Sequence, residues 1–149
     1  MEHELETIQP TERVEHDKPL DGDSTMEQKI ELGLRLLELV RQGAPLVGLQ
    51  FRQANLTSVE LKAQGASAEL RGANFSGADL HRANLAGCDF TGARFEGCRL
   101  TGANLPLTNL QGVVFDGSNL NLTSFYGADL RDASLQECSA EGTDFTDCR

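Results

Sequence analysis

Hydrophobic residues in this chain fall into step at every fifth position. From Leu70 to Phe145 each fifth residue is Leu or Phe, with Ala140 as the one exception. Two residues before each centre stands something small, as in Ala73 before Phe75, Cys98 before Leu100 and Ser118 before Leu120. A period of five matches neither a helix face at 3.6 residues nor a strand at 2. It fits a chain that turns a corner every five residues and sends two of each five inward. The polar positions agree. Asn or Asp often precedes the centre (Asn74, Asp79, Asn84, Asp89), where its side chain can hydrogen-bond the turning backbone. Gly fills ten of the sixteen positions two after the centre, where a tight corner suits an unbranched residue.

Residues 44 to 62 also count in fives, centred on Leu46, Phe51, Leu56 and Leu61. From Leu61 to Leu70 is nine residues rather than ten, which predicts one missing residue and an irregular face around Lys62–Ala66 with no Leu or Phe to offer. Upstream, the pattern changes to that of a helix over residues 24–43. Ser24-Thr25-Met26-Glu27 has capping-box spacing, and Gly43 with Pro45 supplies the stop. Met26, Ile30, Gly33, Leu37 and Val40 fall on one stripe, flanked by Leu34 and Leu36, while Leu32 and Leu39 lie off it and read as exposed. This helix is expected to lie as a lid over the first repeats, covering apolar core and an unpaired strand edge. Residues 1–23 are polar, acidic and broken by Pro10 and Pro19, and read as a disordered leader. The predicted organisation is therefore leader 1–23, capping helix 24–43 and repeat region 44–149.

The run Gly72-Ala73-Asn74-Phe75-Ser76-Gly77-Ala78-Asp79-Leu80-His81-Arg82-Ala83-Asn84-Leu85 resembles the pentapeptide-repeat family, whose consensus is Ala-(Asp/Asn)-Leu-x-x. The resemblance implies an all-β fold, a right-handed quadrilateral β-helix with four pentapeptides per coil. Residues twenty apart would then stack in one column about 4.8 Å apart. Centres from 46 to 145, with one irregular face, would make slightly more than five coils.

Composition adds limits. The net charge of -10 is mostly the leader's: residues 1–25 carry eight acids and two bases, residues 46–149 twelve and eight. Nothing at the N-terminus resembles a signal peptide, and no window has the apolar length of a membrane span, so a cytoplasmic protein without a membrane partner is expected. Cys88, Cys98, Cys138 and Cys148 all occupy the small inward position and read as core filling rather than metal ligands or disulfides. His3, His16 and His81 form no ligand spacing, and no nucleophile elbow or phosphate loop appears. No enzyme activity and no cofactor or metal is expected. The absence of a basic stripe argues against direct nucleic-acid binding.

Three functional classes follow. The first is a non-enzymatic protein–protein interaction or scaffold module, with a partner-binding patch at Pro106, Leu107, Leu122 and Tyr126. Leu107 and Leu122 stand where Gly is usual, and Tyr126 falls one coil above Pro106. The second comes from the family resemblance, since its quinolone-resistance members mimic B-form DNA and bind DNA gyrase. Mimicry needs a continuous acidic stripe, and here arginines interrupt the columns that carry acids before the last coil. The third, an adaptor or structural component of a bacterial secretion system, rests on family analogy alone. At the C-terminal coil two expectations stand side by side: a homodimer through an uncapped end, or an edge protected by charge. Asp129, Asp132, Glu137, Glu141, Asp144 and Asp147 there face only Arg131 and Arg149.

Overall fold

Five-residue units dictate the backbone path. A computed structural model describes residues 24–44, 46–63 and 66–149, so the leader expected over 1–23 lies outside the described residues, as does Pro45. A turn recurs every five residues, and single parallel bridges join residues twenty apart from Glu69↔Asp89 through Ser124↔Asp144. The centres stack in four faces. The first is Leu46, Leu70, Phe90, Leu110 and Leu130. The second is Phe51, Phe75, Phe95, Phe115 and Leu135. The third is Leu56, Leu80, Leu100, Leu120 and Ala140, and the fourth is Leu61, Leu85, Leu105, Phe125 and Phe145. Each face is too short for an extended strand, so the ladder consists of one bridged residue per face rather than the continuous strands that "all-β" suggests.

The unit around Phe75 shows why the pattern closes. Ala73 N–H donates to Leu70 O across the turn (3.1 Å), Asn74 N–H to Leu49 O in the coil before (2.9 Å), and Phe75 N–H to Arg94 O in the coil after (2.8 Å). Ser76 N–H donates to the Asn74 side-chain oxygen (3.0 Å), and Gly77 N–H to Glu96 O (2.8 Å). All five amides are satisfied, as buried or half-buried backbone requires. Where Ser134 and Ser139 replace Asn or Asp, the coil before supplies the acceptor: Asp116 Oδ1 takes Gln136 N–H at 2.9 Å and Asn121 Oδ1 takes Glu141 N–H at 2.8 Å.

The nine-residue gap is not a deletion. Bridges in the first coil run Gln50↔Asn74, Asn55↔Asp79 and Glu60↔Asn84, twenty-four apart rather than twenty. Leu61 and Leu70 are therefore centres of consecutive faces, and the gap of nine is one unit of five plus an insertion of four. The extra residues leave the coil at its fourth corner as a small antiparallel pair, β1 (Lys62–Ala63) and β2 (Ala66–Ser67), with Lys62 opposite Ser67. No irregular face is needed, and centres 46 to 145 make five complete coils.

The helix α1 (Met26–Gln42) starts one residue later than predicted. Thr25, not Ser24, is the N-cap: its hydroxyl accepts from Gln28 N–H at 3.3 Å, and Gln28 Oε1 accepts from Thr25 N–H at 2.8 Å. Two overlapping capping boxes are written in Ser24–Gln28, and the later one keeps the Glu27 carboxylate free in the first turn, where the helix dipole favours it. Gly43 closes the helix in the left-handed conformation as expected. The inward face is rotated from the predicted stripe. Gly33, Leu36 and Val40 are buried, Leu32 and Leu39 pack partly on the core, and Met26, Ile30 and Leu34 are exposed. Gly33 sets this rotation by lying against the Asn55 carbonyl, where a Cβ would come within 2.3 Å of the oxygen. The helix also closes the ladder: Asn55 N–H has no preceding coil to bond and donates instead to the helical carbonyl of Lys29 at 2.9 Å.

Inside, the small inward position often carries a hydroxyl or thiol, and each has the same task. Thr123 donates to Leu100 O (2.7 Å), Cys98 to Phe75 O (3.0 Å), Cys138 to Phe115 O (3.1 Å) and Cys148 to Phe125 O (3.0 Å); Ser118 bonds Phe95 O likewise. Each uses the second lone pair of a carbonyl already engaged in its turn. None of the four cysteines is joined in a disulfide. Burial pushes the Cys98 thiol up to about 12 and raises Cys138 and Cys148 as well. Only the thiolate reacts. A thiol reagent at pH 8 should modify native Cys98 roughly a thousandfold more slowly than an ordinary cysteine, with all four thiols reacting freely in denaturant. Fast native labelling of Cys98, read by peptide mass spectrometry, would contradict this packing.

Candidate interaction surface

Because the inward positions are consumed by packing, any recognition must use the faces and corners that point out. Part of the charge on the faces is paired within the chain, chiefly in the coils before the last. Arg71 bridges Glu69 and Asp89 (3.1 and 3.2 Å), Arg94 pairs with Glu96 (2.7 Å), and Arg99 with Asp79 (3.4 Å). Hydrogen bonds from the Arg131 guanidinium hold the Asp129 carboxyl down to about 2. Exposed pairs of this kind add little stability, but they leave these arginines poised over the acids rather than a bare acidic stripe. Among the described residues no group of three or more His, Cys, Asp or Glu side chains is arranged to hold a metal ion, and no helix is long and apolar enough to cross a membrane.

The four residues of the predicted patch occupy two corners. Pro106, Leu107 and Tyr126 lie at the fourth corner of the third and fourth coils, and Leu107 and Tyr126 line one shallow open groove with Asp129, Asp147 and Arg149. Leu122 stands at the third corner, on the other side of the fourth face, and does not line that groove. Leu107 and Leu122 are 70% and 67% exposed, and Tyr126 is 46% exposed. Both leucines hold left-handed backbone, with φ of 55° and 57°. This conformation costs a residue bearing a Cβ about 1 kcal/mol or more. Each side chain lies over the glycine of the next coil: a Cβ on Gly127 would come within 2.8 Å of Leu107 Cδ2, and one on Gly142 as close to Leu122 Cδ2.

The sequence reading missed two features of this surface. The hairpin β1–β2 leaves the coil at the same fourth corner, below Ala86, Pro106 and Tyr126. Its signal was the gap of nine, legible as five plus four once the ladder is known. The other is the exposed helical strip of Met26, Ile30 and Leu34, beside a groove that also includes Leu37, Thr57 and Glu60.

The architecture defines a repeat solenoid whose outer edges, rather than an enclosed cleft, are available for recognition. A family model described as pentapeptide repeats matches residues 68–105 in eight copies, and one described as a pentapeptide repeat region matches residues 88–149. The chain belongs to the pentapeptide-repeat family. Similar solved structures include the pentapeptide repeat protein Rfr23 from the cyanobacterium Cyanothece 51142, at 21% identity and a TM-score of 0.42, covering 77% of this chain and 97% of that one. HetL, involved in heterocyst differentiation regulation in the cyanobacterium Nostoc sp. strain PCC 7120, is 22% identical with a TM-score of 0.41, covering 71% of this chain and 62% of its own. A trypsin-treated form of QnrB1, a plasmid-mediated fluoroquinolone resistance protein, is 19% identical with a TM-score of 0.37, covering 72% and 74%. No curated protein matches the sequence.

Proposed function

We propose that this protein is a non-enzymatic interaction module of the cytoplasm, a rigid rod coiled in the right-handed, four-sided manner of its family, that engages a protein partner along its fourth corner. One observation carries the reading. Leu107 takes strained left-handed backbone at a corner position that glycine fills ten times elsewhere, and spends that strain on presenting an exposed side chain beside Tyr126. Burying Leu and Tyr in a partner would return roughly 1.5–3 kcal/mol each. The paired acids on the faces weigh against a DNA-mimicking role, because a mimic needs its carboxylates free to meet basic groups.

Affinity capture from host lysate tests it, comparing wild type with Leu107→Asp/Tyr126→Asp and with Leu122→Asp. The first variant is expected to lose a protein that wild type retains, by tenfold or more. The second separates the two corners, and loss there alone would move the site to Leu122. Undiminished capture by both variants would contradict the proposal, and recovery of gyrase subunits by all three proteins would favour the mimic instead.

A further inference from the structure

The helical lid leaves part of the first coil's edge open, and we infer that the segment Arg13–Leu20 of this same chain closes it, lying extended in the groove between α1 and residues 57–60. The inference stands apart from the reading of the fourth corner. One coil on, Asn84 N–H donates to Val59 O at 2.7 Å and its carbonyl accepts from Leu61 N–H at 3.0 Å, while the His81 carbonyl accepts from Ser58 N–H at 2.8 Å. Glu60 and Thr57 hold the same positions in the first coil, which no coil precedes. At Asn55 the helix substitutes for that coil through Lys29 O. Among the described residues nothing bonds the N–H or carbonyl of Glu60, or the carbonyl of Thr57. This edge therefore lacks two donors and one acceptor, the backbone groups that an added extended chain supplies. Beside it lies apolar surface: Ile30 is 43% and Leu34 61% exposed, and both line the groove with Leu37 and Val59.

Attachment, length and charge single out the occupant. The described chain begins at Ser24, and Met26 Sδ lies 3.8 Å from the Asn55 side-chain nitrogen, so residues 1–23 join the fold at the mouth of the groove. A segment tethered so closely meets its site at an effective concentration in the mM range, an advantage no free partner has. From Met26 to Leu37 the helix rises about 16 Å, and eight extended residues span roughly 26 Å. Gly22, between Leu20 and the helix, suits the reversal that this path needs. The ionisable side chain lining the groove is Glu60, which disfavours most of the acidic leader. Residues 1–12 carry four acids and no Lys or Arg, and residues 21–23 carry two acids. Arg13–Leu20 is neutral and holds Arg13 and Lys18, the only Lys or Arg before the helix. Val14 and Leu20 fall on one side of an extended segment, toward Leu37 and Ile30 respectively. Pro19 alternates with them, so its missing N–H faces away from the coil, where an edge strand tolerates proline.

Native-state amide exchange on the full chain, read by two-dimensional NMR, tests this at Glu60. Its amide should exchange at least roughly tenfold more slowly than in an unstructured peptide. The protection should be equal at about 50 and about 500 µM protein, both below the effective concentration of the tether. Val14→Asp/Leu20→Asp should bring exchange to within about threefold of the unstructured rate. Leu34→Asp, a change to the groove wall at an exposed position, should do the same. Asn84 N–H, bonded to Val59 O, should keep its wild-type protection in both variants and so verify the fold. Leu5→Asp/Ile8→Asp should leave Glu60 protected. A Glu60 amide exchanging at the unstructured rate in the wild type overturns the inference, as does protection that survives Val14→Asp/Leu20→Asp. Protection that grows with protein concentration would assign the edge to a second copy, and loss on Leu5→Asp/Ile8→Asp alone would assign it to an earlier segment. Either result removes Arg13–Leu20 from the groove.

Discussion

Replacing Phe95 by alanine is expected to destabilise the protein by about 3–5 kcal/mol, the largest effect of any single core substitution proposed for this chain. Phe95 is fully buried and sits in mid-column, stacked on Phe75 at 5.0 Å and on Phe115 at 5.3 Å, with the edge of Phe90 at 5.1 Å. Removal of the ring empties a site whose walls are backbone ladders, and these cannot collapse inward without breaking inter-coil hydrogen bonds. The loss falls on both neighbouring coil interfaces, since a solenoid is stabilised by nearest-neighbour contacts. Thermal melting should shift downward by roughly 15 °C. Phe95→Leu should cost less than about 1.5 kcal/mol, because Leu is the usual centre elsewhere. Phe145→Ala is the control: that ring stacks on Phe125 alone and is 41% exposed, so its loss should be much milder. Equal effects at 95 and 145 would mean that the column is not packed as described.

The second large effect has an unusual sign. Gly to Ala within a helix ordinarily stabilises by about 1 kcal/mol, yet Gly33→Ala should destabilise by about 1–3 kcal/mol. The added methyl would meet the Asn55 carbonyl oxygen at 2.3 Å, a backbone atom that cannot swing aside. The helix would have to lift, which breaks the Asn55 N–H to Lys29 O bond and uncovers Leu36 and Val40 above the first coil. Denaturant unfolding with amide exchange at Asn55 measures both consequences. A stabilised Gly33→Ala protein would show that propensity outweighs the contact, and that the helix sits further from the coil than described.

These two sites also mark what the sequence made legible. The centre and its small partner two residues earlier are a purely local rule, so the inward column, the asparagine-stabilised corners and the core cysteines could be read directly. The rotation of α1 could not. Every apolar residue on that helix fits some stripe, and the choice among stripes is made by one glycine against a carbonyl more than twenty residues away. The gap between Leu61 and Leu70 was ambiguous for a similar reason. Nine residues are one short of two units or four beyond one unit, and only pairing across coils decides between them. That decision moved an entire hairpin to the fourth corner. It also changed the candidate surface, since Leu122 shared a composition with Leu107 but not a corner. Sequence distance along a coil says which residues stack, while the width of a face separating two corners appears only when the coil is closed.

The central claim is that this protein acts by contact through its fourth corner. The direct measurement is amide chemical-shift mapping by two-dimensional NMR on the 16.2 kDa chain as a captured partner is added. The account predicts that the largest shifts gather at Ala86, Leu107, Tyr126, Gly127 and the 62–67 hairpin, with the second and third faces silent. Shifts confined to the other three corners, or to the last coil's end face at Leu135, Ala140 and Phe145, would contradict it.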